Sequence, residues 1–190
     1  ALNEAGWELV ENSTIRQKDG EPLILTLATL NTMELVAAAE EIKTQWSQAG
    51  VDIQINAVDS ATFQTQILKN RDYDILLSGE LYGIDPDPYA FWHSSQSEFP
   101  GLNLSGFSNR RADEFIEVGR SATSVEDRAQ AYKDLQEIIV GEIPAVFLYQ
   151  PTYAYATAEK IQNVSISQIV IPADRFSNIN EWYIKTKLRR

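Results

Sequence analysis

The chain has 190 residues, 44% hydrophobic and 23% charged, which suits one globular domain, or one domain plus an appendage, with a substantial core. A formal net charge of −11 argues against a nucleic-acid surface, which needs a basic stripe, and against electrostatic docking on anionic lipid. Cysteine is absent, excluding disulfides, thiolate nucleophiles and Cys-ligated zinc, and no apolar run approaches the ~20 residues of a membrane span.

The first residues, "ALNEAGW", show neither an initiator Met nor a signal peptide, so processing or a chosen boundary is the expected origin of that end. Residues 1–22 are polar, with a turn signal at Asp19-Gly20 and Pro22 before the first apolar run. Leu23 to Leu30, "LILTLATL", is apolar on nearly both faces, the pattern of a central strand. A helix follows. Asn31 with Glu34 forms a capping box, and Leu35, Ala39, Ile42 and Trp46 recur on one face. Gly50 ends it in the left-handed conformation, and Val51, Ile53 and Ile55 then alternate with polar residues as a strand with one wet face. A short helix from about Thr62 buries Phe63 and Ile67, and "YDILLSGEL" is a third strand. Residues 23–81 thus read β-α-β-α-β, with crossovers long enough for parallel pairing.

The second half opens on a Gly/Ser/Asn-rich loop, "FPGLNLSGFSN". One helix is marked by Ala112, Phe115, Ile116 and Gly119. The next is capped by Thr123 and Glu126 and turns Ala129, Tyr132, Leu135 and Ile139 inward. Pro144 introduces "AVFLYQ", which reads as a buried strand, and the tail carries a further capping pattern at Asn178 and Glu181.

A right-handed β-α-β-α-β unit places its first strand between the other two, order 2-1-3. Ligands of open α/β sheets bind at the carboxyl ends of strands where the order switches. Those ends are Thr29 to Thr32 and Leu81 to Asp87. The stretch "GELYGIDPDPYAFWHSSQ" therefore occupies the expected mouth of a cleft, stiffened by Pro86 and Pro88. Blander readings compete with each chemical one here. Asp85-Pro-Asp87-Pro resembles the start of a calcium loop but lacks its central Gly and terminal Glu, so no metal is expected. His93, the single histidine, has no nucleophile motif beside it and reads as a packed side chain rather than a general base. Tyr82 at a strand end reads as ligand-facing, whereas Phe91 and Trp92, in a short helix, read as core. For Asp85 and Asp87 the alternative is plain turn chemistry.

Several segments carry a family resemblance when taken in order: "ALNEAGW", "LILTLATLN", "AAAEEIKTQWSQAGVDIQI", "DYDILLSGELYGIDPDPYAFW", "GFSNRRADEFI", "RAQAYKDLQEIIVGEIPAVFLY" and "RFSNINEWYI". Together they resemble the C-terminal part of the peptide/nickel-type (family 5) solute-binding proteins of ABC importers. The resemblance implies an α/β fold, a single lobe of the type II periplasmic-binding-protein class. Its mixed sheet would have the order 2-1-3-n-4, flanked by helices, with 144–149 entering antiparallel beside the third strand. It implies that residues 1–22 lead in from a first lobe, that 23–150 form the second lobe, and that 151–190 are a return segment and tail. It also implies an extracytoplasmic protein, periplasmic or lipid-anchored.

In peptide-binding members of the family an Asp at the mouth of the third strand pairs with the peptide's α-amino group. Counting back from Asp87-Pro88, Ile84 stands at that position, and Leu81 stands where a Trp is usual. The expected function is solute binding for ABC import. The ligand, a peptide or related small solute, would be contacted by Asn31, Glu80, Leu81, Tyr82, Gly83 and Asp85. Glu80 or Asp85 would face a cationic group, and Tyr82 and Leu81 would give apolar contact. The expected partners are an N-terminal lobe and a membrane permease, with no nucleic acid, cofactor or catalytic residue. The rival readings are a hydrolase using the Asp85/Asp87 region and a sensor or adaptor module on the same fold.

Overall fold

Asp19 and Gly20 both take positive φ, 53° and 87°, the requirement for the tightest hairpin turn. They join two short strands of an N-terminal ribbon in the computed structural model, which describes residues 1–166, 169–184 and 186. The ribbon comprises β1 (Glu8–Leu9), β2 (Arg16–Lys18) and β3 (Glu21–Pro22), all antiparallel. It continues into β4 (Ile24–Leu30), followed by α1 (Met33–Gln48), β5 (Asp52–Val58) and α2 (Ser60–Thr62), which widens into a π-helical turn over Phe63–Leu68. The next strand is β6 (Ile75–Leu77). These strands pair in the order β5-β4-β6, all parallel, from Ile24↔Asp52 to Leu30↔Val58 on one side and Leu27↔Ile75 to Thr29↔Leu77 on the other. Just before the first pair of the β4–β6 ladder the Asp74 carboxylate accepts the Thr26 N–H at 2.7 Å, extending the link by a side chain.

The middle of β4 is buried on both faces, in keeping with a sequence that is apolar except for Thr26 and Thr29. Leu27 packs with Leu23, Ala39, Val51, Ile53 and Leu77 on the α1 side, while Ala28 packs with Phe63 and Ile67 on the other. Gly50, at φ 82°, closes α1, and the Arg16 side chain lies so near that a Cβ there would come within 2.8 Å of its Cγ. Arg16 in turn donates from its backbone to Gly50 C=O (2.8 Å) and from Nε to Ala49 C=O (2.7 Å), fastening the ribbon to the α1–β5 turn.

After β6 come α3 (Tyr89–Trp92), a loop that begins as a 3-10 turn (Ser94–Gln96), α4 (Arg110–Ser121) and α5 (Val125–Glu142). The loop is held from inside by Asn103. Fully buried, it donates to Phe107 C=O (2.8 Å) and His93 C=O (3.1 Å) and accepts the Phe107 N–H (3.1 Å). Gly119 of α4 lies against the Tyr132 ring of α5 at a distance no Cβ could share.

The chain forms two compact units, residues 1–80 with 88–144, and residues 81–87 with 145–190. The second holds little regular structure. β7 (Ile161–Gln162) pairs antiparallel with β8 (Tyr183–Ile184), and 3-10 turns span Pro172–Phe176 and Ile179–Glu181. Its rings cluster: Tyr155, Phe176 and Trp182 lie with centroids 5.9 to 6.5 Å apart. The Arg175 guanidinium sits over Phe176 at 4.5 Å, and Trp182 Nε1 donates to Asn178 Oδ1 at 2.7 Å.

Four expectations need correction. The run 144–149 is not a strand, so the expected order 2-1-3-n-4 is observed only as its all-parallel 2-1-3 part, and the antiparallel member of the mixed sheet is absent among the described residues. β6, only three residues long, offers a neighbour little edge, and Ile143 takes φ 52°, a costly left-handed turn for a β-branched residue, just before Pro144. The cap of α1 is Thr32, which accepts the Leu35 N–H at 3.4 Å, rather than Asn31. The cap of α5 is Ser124 rather than Thr123, since its hydroxyl accepts the Asp127 N–H at 3.0 Å. The inward face of α5 carries Ala131, Leu135 and Ile139, whereas Ala129 is exposed.

Candidate functional site

The parallel register aligns three carboxyl ends. Leu30 stands beside Val58, and Thr29 beside Leu77, so β4, β5 and β6 finish along one edge of the sheet. Thr29, fully buried, donates its hydroxyl to Leu77 C=O at 2.9 Å and ties two of these ends together. Asn31 follows directly, its backbone N–H bonded to Val58 C=O at 2.8 Å and its side chain exposed. Because Thr32 takes over the cap of α1, the Asn31 amide is not consumed by it. Glu80, also exposed, comes three residues beyond the end of β6. Both candidates of the first unit thus lie past the carboxyl ends of neighbouring strands, where an open α/β sheet receives ligands.

Asp59 follows the end of β5 and is an acid that sequence reasoning passed over. It caps α2, accepting from the Thr62 hydroxyl (2.7 Å) and the N–H groups of Ala61 and Thr62. The Thr62 hydroxyl first, then the Thr62 backbone N–H, hold its pKa below the ordinary 3.8. The cap is therefore complete above that value and is lost as pH falls through the lower folded one. Its signal in the sequence was an Asp followed by Ser-Ala-Thr, a cap pattern rather than a ligand pattern.

Leu81, Tyr82, Gly83 and Asp85 belong to the second unit, in a run without regular structure. Leu81 and Ile84 are 75% and 79% exposed, Gly83 and Asp85 are exposed, and Tyr82 is half-buried. The Asp87 N–H donates to Asp85 C=O at 2.9 Å, a three-residue turn centred on Pro86. The Asp-Pro pairs thus do form turn structure, and Asp85 stands at its start.

Among the described residues no group of three or more His, Asp or Glu could hold a metal ion. His93 is buried, its ring 4.4 Å from that of Tyr89, and Trp92 is core, packed edge-on to Phe107. A depression of about 450 Å³ lies between α4 and α5, lined by Phe115, Val118, Asp127, Ala131 and Asp134. Ser124 and Gln130 already engage its two acids.

A family description, bacterial extracellular solute-binding proteins, family 5 Middle, matches residues 1–102. The chain belongs to this family. It is 29% identical over 188 residues to the oligopeptide-binding protein AppA of Bacillus subtilis, covering 96% of this chain and 33% of that protein. It is 34% identical over 114 residues to the peptide transport periplasmic protein SapA of Haemophilus influenzae, covering 57% of this chain and 20% of the relative. The solved structure of B. subtilis AppA in complex with a nonapeptide superposes with a TM-score of 0.78 at 26% identity, over 97% of this chain and 36% of that one. The chain therefore spans about a third of the length of AppA. The α/β periplasmic-binding-protein fold expected from the family 5 resemblance is observed, without the expected position of 144–149.

Proposed function

We infer that this chain is one lobe of a two-lobed receptor that delivers a peptide or related small solute to an ABC importer outside the cytoplasm. The observation that carries this reading is the match to an oligopeptide-binding protein along 96% of the chain. Asn31 and Glu80, past the strand ends, and Leu81, Tyr82, Gly83 and Asp85, in the run that follows, make the ligand contacts. Glu80 and Asp85 receive a cationic group, and Tyr82 and Leu81 receive apolar surface. The other lobe supplies the opposite wall of the cleft, closure traps the solute, and a membrane permease reads the closed form. The role is binding without turnover.

The test is mass spectrometry of what copurifies with the full-length protein, followed by calorimetry of that solute against variants. Tyr82→Ala and Asp85→Asn each weaken binding at least tenfold, about 1.4 kcal/mol. Turnover of a hydrolase substrate by the protein, with no retained solute, overturns the reading. Ile84 refines it. With no carboxylate at that position, free and N-acetylated di- and tripeptides bind alike, and Ile84→Asp favours free amino termini. A native preference for free peptides would assign that role to Asp85 or another acid.

A further inference from the structure

His93 is the single histidine, buried, and not among the residues given to the ligand. Its Nδ1 accepts the Ser95 N–H at 3.1 Å and so caps the 3-10 turn Ser94–Gln96. An accepting Nδ1 carries no proton, which puts the proton of the neutral ring on Nε2. Nε2 is buried and faces Glu117 Oε1 of α4 at 3.5 Å. A second carboxylate of α4, Asp113, has Oδ1 3.9 Å from Nδ1 and holds the next residue through the Ser94 N–H at 2.9 Å. From α3 the Tyr89 ring lies tilted by 31° against the imidazole, and the Arg120 guanidinium of α4 covers the Tyr89 ring at 4.2 Å from its centre.

A proton arriving on Nδ1 meets the Ser95 N–H head on. Two donors cannot share that line, so the cap breaks, and the imidazolium then has Asp113 and Glu117 to turn toward. Arg120, behind Tyr89, opposes the new charge, while the two carboxylates favour it. Histidine is the side chain whose unperturbed form changes charge between pH 5 and 8, and that interval is the one to probe. The loop affected is the one held by Asn103, itself bonded to His93 C=O.

We propose that His93 is a proton-operated latch that holds the loop from 93 to 107 closed when neutral and loosens its first turn when protonated. The proposal stands apart from the solute-binding reading. It is tested by hydrogen exchange of the full-length protein between pH 8 and pH 5, corrected for intrinsic rates and read on fragments covering residues 93–103. Exchange at the Ser95 amide rises on the order of fivefold in acid, the worth of one ~1 kcal/mol hydrogen bond. In His93→Asn the side chain keeps an acceptor for the cap but cannot titrate, and the profile is flat. A flat wild-type profile, or the same rise in His93→Asn, overturns the proposal. If His93→Asn fails to fold, Glu117→Gln on the exposed rim decides. Its rise needs a lower pH to appear, and an unchanged profile overturns the latch.

Discussion

Two apolar runs of similar composition end differently in this chain. In β4, Leu27, Ala28 and Thr29 are wholly buried, whereas in the run after Pro144, Val146 and Phe147 are 71% and 66% exposed. β4 has strands on both edges, α1 on one face and the 60–68 turn on the other. The later run lies in a unit whose only assigned ladder among the described residues is two residues long. Strand-forming side chains supply a surface, but a strand exists only where neighbours complete its hydrogen bonds and cover its faces. Among the described residues the first unit supplies β4 with ladders on both edges, whereas the second supplies no ladder to the run after Pro144.

The contrast is broken most directly at Leu27. Leu27→Ala leaves a cavity at the centre of the first unit and costs about 2–5 kcal/mol. Urea unfolding followed by circular dichroism reads it as a lowered midpoint at unchanged slope. A loss below about 1 kcal/mol would mean that the β4 core yields as easily as a surface.

The same contrast explains what could be read beforehand. β4, α1 and β5 were legible because period, length and a terminating glycine agree, and Phe63 and Ile67 are buried as the spacing implies. The caps missed by one residue, since Asn31 and Thr32, or Thr123 and Ser124, are all capable caps and the choice depends on backbone dihedrals. The hairpin at Asp19-Gly20 was signalled, but its flanks lack alternating apolar residues and read only as a turn. Asn103 gave no signal, because a Gly/Ser/Asn-rich loop looks solvated whether or not one of its amides turns inward. Of the proposed contacts, the placement of Asn31 and Glu80 past strand ends follows from strand order, while the course of Leu81 to Asp87 does not, since irregular backbone leaves no period.

A smaller effect sharpens the comparison inside the first unit. Asn103→Ala removes partners from Phe107 N–H, Phe107 C=O and His93 C=O at once, in a place closed to water. The expected loss is about 1–3 kcal/mol, seen as a lowered melting temperature. Asn103→Asp keeps the acceptor for Phe107 N–H but cannot donate to the two carbonyls, and adds a buried charge, so it does not rescue. Equal stability of Asn103→Ala and wild type would show that the loop holds itself by other means.

The smallest effect is expected at Val146, and it bears on the second unit directly. Val146 is exposed, so truncation removes little packed surface, and Val146→Ala changes stability by less than about 0.5 kcal/mol. The measurement is the same urea midpoint, made on this chain and on the full-length protein. A small value in both means that the run is a surface wherever it occurs. A loss above about 1 kcal/mol in the full-length protein alone means that something outside this chain covers Val146, so that its neighbours are supplied from elsewhere. A loss of that size in this chain itself breaks the comparison, because Val146 would then be held as a core residue is.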